Sequence, residues 1–562
     1  MSTSIGQTEP APTAADRSDA QGGVVPVARP SAPWADRVLI GAIIVAIVFL
    51  LLQILTFDYG RDQGIYAMVG KSLLEGGMPY RDAWDFKPPG IFLVYAAARA
   101  LFGANPMGVR VLEVLGLMAM VALMVRLARD WWGEPRVGWL AGGLAILAHA
   151  QLDFWHTAQP ESFGGMLTIL GLLVGTRGRP VAWLGAGVLF GVAGLMKPPL
   201  AGGGAVLALA LALELYHSGR ATLARSDAAR RAARPIALIA LGGALPIAAC
   251  LAWFWARGAL GDLHEVLMVF TPHYTKLGWE GASVIGMAYW GFTTWLFNYS
   301  SPISIGLLLL LALRPAPHER RRVGLLAGVI AIQLVGIVMQ GKFFPYHYGA
   351  IWPVTALLAG LGLNKVFERA ARRGLAGVAL FFLGLGVVAL GRSATKDTPD
   401  SFLDRCFARL VLLTTPQLDE TARDALASVA DVNAAANRQV AKILRDQVPA
   451  GEPVYIYGFE PVIYDLADRR PATRFLYNVP QRVPWAEDKM RAVLMDDLAK
   501  NPPRAIVVER RDVFPSVTGT TIDSADTLDS FPALRDLIAT RYRHFEQIED
   551  FEIYLALTPD AP

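Results

Sequence analysis

The stretch Asp58-Tyr59-Gly60-Arg61-Asp62, continued by Asp82-Ala83-Trp84-Asp85-Phe86-Lys87-Pro88-Pro89-Gly90, follows directly on the first long apolar run of the chain. With Arg81 and Lys71 it gathers four aspartates, two arginines and two lysines into one loop. Charge is costly near a bilayer, so such a concentration beside a membrane segment reads as a functional site at the membrane surface. The fold turns on which side of the membrane this loop occupies.

Hydrophobic residues make up 54% of the 562 residues, too many for one large soluble protein. Arg37 precedes a nearly uncharged run over residues 38–57, long enough to span. Further apolar runs lie near 107–125, 137–152, 162–176, 180–196, 199–216, 235–256, 300–313, 323–340, 346–363 and 374–391. Alternate connections are strongly basic: Arg126, Arg129 and Arg136; Arg177 and Arg179; Arg220 through Arg234; Arg314 and Arg320 through Arg322; Lys365 through Arg373. The positive-inside rule puts all of these in the cytoplasm. The expectation is a mainly α membrane protein of about 11 spans, with the Asp58 loop and the C-terminal part outside. Residues 88–102, short and interrupted by Arg99, read as a helix at the outer interface, as do 62–75, with Ile65, Met68, Val69 and Leu73 on one face. The Trp- and Tyr-rich 284–299 fits either an interfacial segment or the start of a tilted span.

Three regions follow. Residues 1–36 form a polar, disordered cytoplasmic tail, 37–391 the membrane domain, and 392–562 an extracytoplasmic α/β domain. In the last, a helical stretch at 417–447 and helical patterns near 460–468, 485–499 and 533–541 alternate with strands at 454–458, 505–509 and 552–557. Its expected role is a lid or an acceptor platform. Cys250 and Cys406 are too far apart in sequence and too few for a disulfide framework or a Cys metal site.

Polar residues sort to the outer ends of the predicted spans, and few acids lie within a span. That argues against an ion path, which needs ionisable groups at the midplane. Lys-Pro-Pro occurs twice, at Lys87 and Lys197, and proline suits a first helical turn. Each lysine then sits at the positive end of a helix, sensible if an anion is held there; the alternative is that each only snorkels to headgroups. Lys342, before Pro345, opens another outer helix. Lys87, Lys197, Lys342 and Arg61 are the candidate phosphate contacts. Asp62 is the candidate general base, with Asp58 its competitor and an N-cap role its plain alternative. Glu161, His156, Asp85 and His347 are candidates for binding or orienting an acceptor. Asp153 and His156 could share a metal with His264 or Glu265, but no tight ligand spacing supports it. No P-loop, HExxH or Ser-His-Asp order occurs.

The segments Asp62-Gln63-Gly64-Ile65-Tyr66-Ala67 and Lys87-Pro88-Pro89-Gly90-Ile91-Phe92-Leu93-Val94-Tyr95 together resemble the first outer loop of GT-C-fold glycosyltransferases. The nearest in pattern are family 39 protein mannosyltransferases and the aminoarabinose transferases of lipid A. Gln159-Pro160-Glu161 resembles their second acidic loop, Gly194-Leu195-Met196-Lys197 their later lysine motif, and Lys342 through Pro353 their Arg/Lys-Tyr-Pro stretch. The resemblance covers roughly 38–391. It implies a GT-C-type bundle in the inner membrane that transfers a sugar from a polyprenyl-phosphate carrier to a cell-envelope acceptor, with no nucleic-acid partner. It also implies Asp62 as base, Lys87 on the carrier phosphate and Glu161 on the acceptor side. The sequence departs from the pattern at Gln63, where many members have Glu, and at Phe86, where an acid is common. A divalent cation is left open. A leaving lipid phosphate needs no general acid, so one carboxylate suffices for an inverting displacement. A transporter or scaffold for lipid-linked sugars, and an O-antigen-ligase-type enzyme with a diphosphate donor, are the competing readings.

Overall fold

The computed structural model describes residues 33–298, 301–390, 401–415, 420–429 and 432–557. The tail read as disordered lies, to residue 32, outside these, as does Arg392, where the sequence predicts the change of domain.

The apolar runs are helical. The helices are Pro33–Ile54, Pro106–Trp132, Pro135–Gln151, Pro160–Gly175, Pro180–Met196, Pro198–Ala201 continuing as Gly202–Arg220, Arg225–Ala256, Ser301–Leu313, Arg320–Gln340, Ile351–Ala371 and Gly374–Leu390. Proline opens several of them at the first helical position, where its missing N–H would have had no partner. Gly133 and Gly341 end two of the helices in the left-handed conformation. Among the described residues, five helices are long and apolar enough to cross a membrane, or six if Val284–Phe297 and Ser301–Leu313, which meet at 99°, form one broken span. Length and composition alone thus establish fewer spans than the eleven read from the sequence. Large apolar side chains such as Val45, Leu380, Leu383 and Val387 stay exposed around the bundle, a surface that suits lipid better than water.

The connections gather at two opposite ends. At the basic end, Arg136 pairs with Asp36 at 3.1 Å, Glu134 at 2.7 Å and Glu368 at 3.0 Å. Lys365 pairs with Glu319 there, Arg321 with Glu214, and the Arg322 guanidinium lies over Trp131. The other end holds the Asp58–Pro89 loop, residues 152–159, Lys197 and the 341–350 turn.

The C-terminal domain is a five-stranded sheet in the order β2-β1-β3-β5-β4. The strands are β1 (Pro453–Tyr457), β2 (Arg470–Pro471), β3 (Ala505–Glu509), β4 (Tyr542–Ile548) and β5 (Phe551–Ala556). β1 runs parallel to both β2 and β3, while β5 is antiparallel to β3 and to β4. β4 is a strand the sequence pattern did not suggest: it is polar on most positions and pairs at an edge.

The first loop belongs with this domain. The helices Arg61–Leu74 and Gly90–Phe102 occur where interfacial helices are predicted, but the apolar face of the first is not turned to lipid. Ile65, Tyr66, Met68 and Val69 share one buried core with Tyr455, Ile463 and Tyr477 of the C-terminal domain. Gly64 lies so near Val462 that an added Cβ would be 3.1 Å from its backbone nitrogen. The Trp84 N–H donates to the Arg474 carbonyl at 2.8 Å. First loop and C-terminal domain therefore lie at the same end of the bundle.

Candidate active site

Asp62 and Lys87 come together at this end. Asp62 sits in the first turn of Arg61–Leu74, whose N-cap is Gly60 rather than the aspartate, so its carboxylate does not cap the helix. Its Oδ2 accepts a hydrogen bond from Gln159 Nε2 at 3.2 Å and lies 3.9 Å from Lys87 Nζ. Both side chains keep some solvent access, 23% for Asp62 and 19% for Lys87, so a substrate can reach them. Gln159 is oriented in turn by Tyr66, whose hydroxyl donates to its Oε1 at 3.0 Å.

Lys87 stands at the mouth of the Gly90–Phe102 helix, as the Lys-Pro-Pro motif predicts. The Tyr80 hydroxyl donates to the Lys87 carbonyl at 2.9 Å, and Tyr80 itself adopts φ 71°, an uncommon backbone for a tyrosine. The Lys87 ammonium reaches the Tyr346 hydroxyl at 3.5 Å and lies 5.4 Å from the centres of the Phe86 and Tyr346 rings. Burial opposes its charge, but Asp62 and Asp85 outweigh that and raise its pKa above the usual lysine value.

The second Lys-Pro-Pro motif meets the first. A Cβ on Gly90 would be 2.7 Å from the Leu195 carbonyl oxygen, so only glycine lets the two helix termini touch. Lys197, the N-cap of Pro198–Ala201, forms an ion pair with Glu161, whose other carboxylate oxygen is buried and has no hydrogen-bond partner among the described residues. The positive charge of Lys197 is thereby answered within the protein. Lys87 is held by Asp62 only beyond hydrogen-bond distance and is the more available cation.

Asp85 is 1% exposed; its Oδ1 accepts from the Tyr477 hydroxyl at 2.8 Å and its Oδ2 from the Lys87 N–H at 3.4 Å. Burial pushes its pKa up to about 6 despite the neighbouring Lys87. Lys342 donates to the Ser516 carbonyl and lies 4.2 Å from the Tyr274 ring centre, and burial lowers its pKa to about 8. His347 Nδ1 bonds the Lys342 carbonyl at 2.7 Å. His156 stacks on Tyr346 at 5.8 Å, and Tyr346 stacks on Phe344 at the same separation, an aromatic wall beside Lys87.

Two candidates point elsewhere. Arg61 turns into the C-terminal domain, with Nε 2.8 Å from Glu460 and the guanidinium over Phe514, so it braces a joint instead of facing the Lys87 cluster. Asp58 Oδ1 accepts from the Tyr59 N–H at 2.7 Å, and its carbonyl accepts from Arg110; none of its hydrogen bonds leads to Lys87. Arg110 and Glu113, both fully buried, underpin the 153–159 loop. Arg110 donates to Thr157 Oγ1 at 2.9 Å and to the Phe154 carbonyl at 3.0 Å, while Glu113 accepts from the Ala158 N–H. Glu113 is one of the few acids inside the predicted spans, in the run near 107–125.

Most acids around the site are engaged within the protein. Glu161 is paired with Lys197, Asp85 with Tyr477, and Asp153 with Arg405 and Arg409, both at 2.6 Å. Glu265 pairs with Lys489, and no group of three metal-ligating side chains occurs among the described residues. Gln63, the departure from the acidic pattern, donates from Nε2 to the carbonyls of Phe154, Trp155 and Thr157 at 3.2, 3.0 and 2.7 Å. A carboxylate has no hydrogen to offer there. Gln159, Tyr346 and Tyr274 escaped the sequence reading as site residues; the first two lie inside quoted motifs, but only their contacts show what they face.

No family model matches the chain. It is 27% identical over 350 residues to an undecaprenyl phosphate-alpha-4-amino-4-deoxy-L-arabinose arabinosyl transferase of Pseudomonas paraeruginosa, covering 59% of this chain and 60% of that protein. It is 28% identical over 354 residues to the corresponding Pseudomonas aeruginosa protein, with the same coverage. The chain thus matches about 60% of the length of these curated relatives. ArnT from Cupriavidus metallidurans superposes in its apo state with TM-score 0.55 and 15% identity, over 92% of this chain and 97% of that one. The same protein bound to undecaprenyl phosphate gives 0.53 and 15%, over 93% and 98%. At such identity the match is one of fold. The chain resembles the lipid A aminoarabinose transferases and shares their GT-C architecture, C-terminal domain included.

Proposed function

We propose that the protein is an integral inner-membrane glycosyltransferase that moves a sugar from a polyprenyl-phosphate carrier to a cell-envelope acceptor at the extracytoplasmic face. The observation that carries this is the Asp62–Lys87 pair, a carboxylate and an ammonium 3.9 Å apart and both open to a ligand. The basic connections at the far end of the bundle support an eleven-span topology with this pair outside. Undecaprenyl phosphate as the ligand of a protein with this fold supports the donor class.

In this reading the acceptor hydroxyl oxygen attacks the anomeric carbon from the face opposite the phosphate, and Asp62 takes its proton. The anomeric C–O bond breaks with its electron pair going to the phosphate oxygen, and the configuration inverts. Lys87 and the Tyr346 hydroxyl stabilise the charge that grows on the leaving phosphate, so no acid is needed. Gln159 keeps one Asp62 oxygen aimed, and the wall of Tyr346 and His156 offers ring faces to a sugar or isoprenoid.

Purified protein supplied with labelled polyprenyl-monophosphate and polyprenyl-diphosphate sugars should transfer from the monophosphate. Preference for the diphosphate supports the O-antigen-ligase-type reading, and uptake without transfer supports the transporter. Lys87→Ala should weaken monophosphate-donor binding by roughly 10-fold or more, the loss of a charge-assisted contact. Unchanged donor affinity would leave Lys87 a snorkelling lysine.

A further inference from the structure

The basic end carries a cavity of about 440 Å³ between the end of Ser301–Leu313 and the end of Ile351–Ala371. Arg314, Pro315, Lys365, Glu368, Arg369 and Arg372 line it. The two carboxylates in reach are already engaged: Glu319 pairs with Lys365 at 2.8 Å, and Glu368 with Arg136 at 3.0 Å. Arg314, Arg369 and Arg372 form no ion pair among the described residues; Arg369 only donates to the Lys365 carbonyl at 2.6 Å. Three guanidiniums with no ion pair of their own thus surround one concavity.

Arg314 also holds φ 57°, directly before Pro315. That region is disfavoured for a non-glycine residue, and a following proline favours extended backbone instead. The turn therefore keeps Arg314 at the rim against local preference. On the helix leading to it, Ile305, Leu308 and Leu311 are 38%, 47% and 64% exposed at three-residue spacing, an apolar stripe that ends at the cavity.

We propose that this cavity binds the phosphate headgroup of an anionic membrane lipid, with an acyl chain along the Ile305–Leu308–Leu311 stripe. Guanidiniums recognise phosphate oxygens bidentately, and basic pockets between membrane helices suit anionic headgroups. Free phosphate would share the headgroup chemistry but gain nothing from the stripe. The site lies at the opposite end from Lys87 and does not depend on the reading of the active site.

The test uses the full-length chain in detergent, titrated with phosphatidylglycerol, with phosphatidylcholine of the same acyl chains and with inorganic phosphate, bound lipid being counted by native mass spectrometry. Phosphatidylglycerol should be retained over phosphatidylcholine and not displaced by millimolar phosphate. The double variant Arg314→Gln/Arg372→Gln should weaken it roughly 30-fold, two juxtamembrane charges' worth, and Arg314→Lys/Arg372→Lys, which keeps the charge but not the bidentate fork, should restore only part of that. Arg230→Gln/Arg231→Gln, at the same end but outside the cavity, should change little. An equal loss in that control pair would reduce the effect to diffuse charge. Unaltered binding in the cavity variant, or displacement by free phosphate, would overturn the assignment.

Discussion

Gln63 shows how one residue can depart from a family pattern for a local reason. Its amide hydrogens serve three carbonyls of the 154–157 turn while its Oε1 accepts from the Gly60 N–H at 3.0 Å. Gln63→Glu would set a buried carboxylate against those carbonyls. It should destabilise the protein by about 3 kcal/mol or more, read as a lowered midpoint of thermal unfolding. Asp85 adds a pH dependence. Its pKa, pushed up to about 6, means that it ionises in the mildly acidic range and then competes for Lys87. A sugar-linked phosphodiester keeps its single charge over the same range. The donor should therefore bind several-fold tighter below that pH than above it, and Asp85→Asn should abolish the difference, as titrations at pH 5 and pH 7.5 would reveal. A pH dependence persisting in Asp85→Asn would assign it to another group.

At the level of elements, the C-terminal domain holds the first loop. Glu460, just beyond β1, and Glu509, at the end of β3, face Arg61, the residue before Asp62. Ligands of open α/β sheets bind at the carboxyl ends of parallel strands, and here that crevice receives a side chain of the first loop. Burial beside Asp512 and Glu460 holds Glu509 well above the usual carboxylate range, so Glu460 is the principal counter-charge of Arg61. Tyr477 fixes Asp85 in the same way, two residues from Lys87. Glu460→Gln should lower kcat several-fold with little change in donor KM, because it loosens the base and not the phosphate contact. A rise in KM alone would remove Arg61 from any positioning role. The sequence made the helices legible through apolar runs and prolines, and β1, β3 and β5 through their apolar stretches. It could not show this joint, because Arg61 and Glu460 are 399 residues apart and neither sits in a periodic pattern. For the same reason Arg61 read as one more phosphate contact.

For the whole molecule, the separation of basic connections from the Asp58 loop was legible in charge alone, and the ion pairs at the basic end bring those connections together. The number of crossings was less so, since helices such as Pro160–Gly175 and Gly374–Leu390, of 16 and 17 residues, are shorter than a lone span needs. The Asp62–Lys87 pair was readable as two motifs, but its aim, set by Gln159 and Tyr346, was not. The central claim is that this pair performs the transfer. Single-turnover transfer of a labelled sugar from its polyprenyl-phosphate donor, with donor binding measured in the same samples, tests it most directly. Asp62→Asn should bind donor within a few-fold of wild type and lose at least roughly 100-fold in transfer, the scale of a missing general base. Turnover near the wild-type rate in that variant would contradict the account.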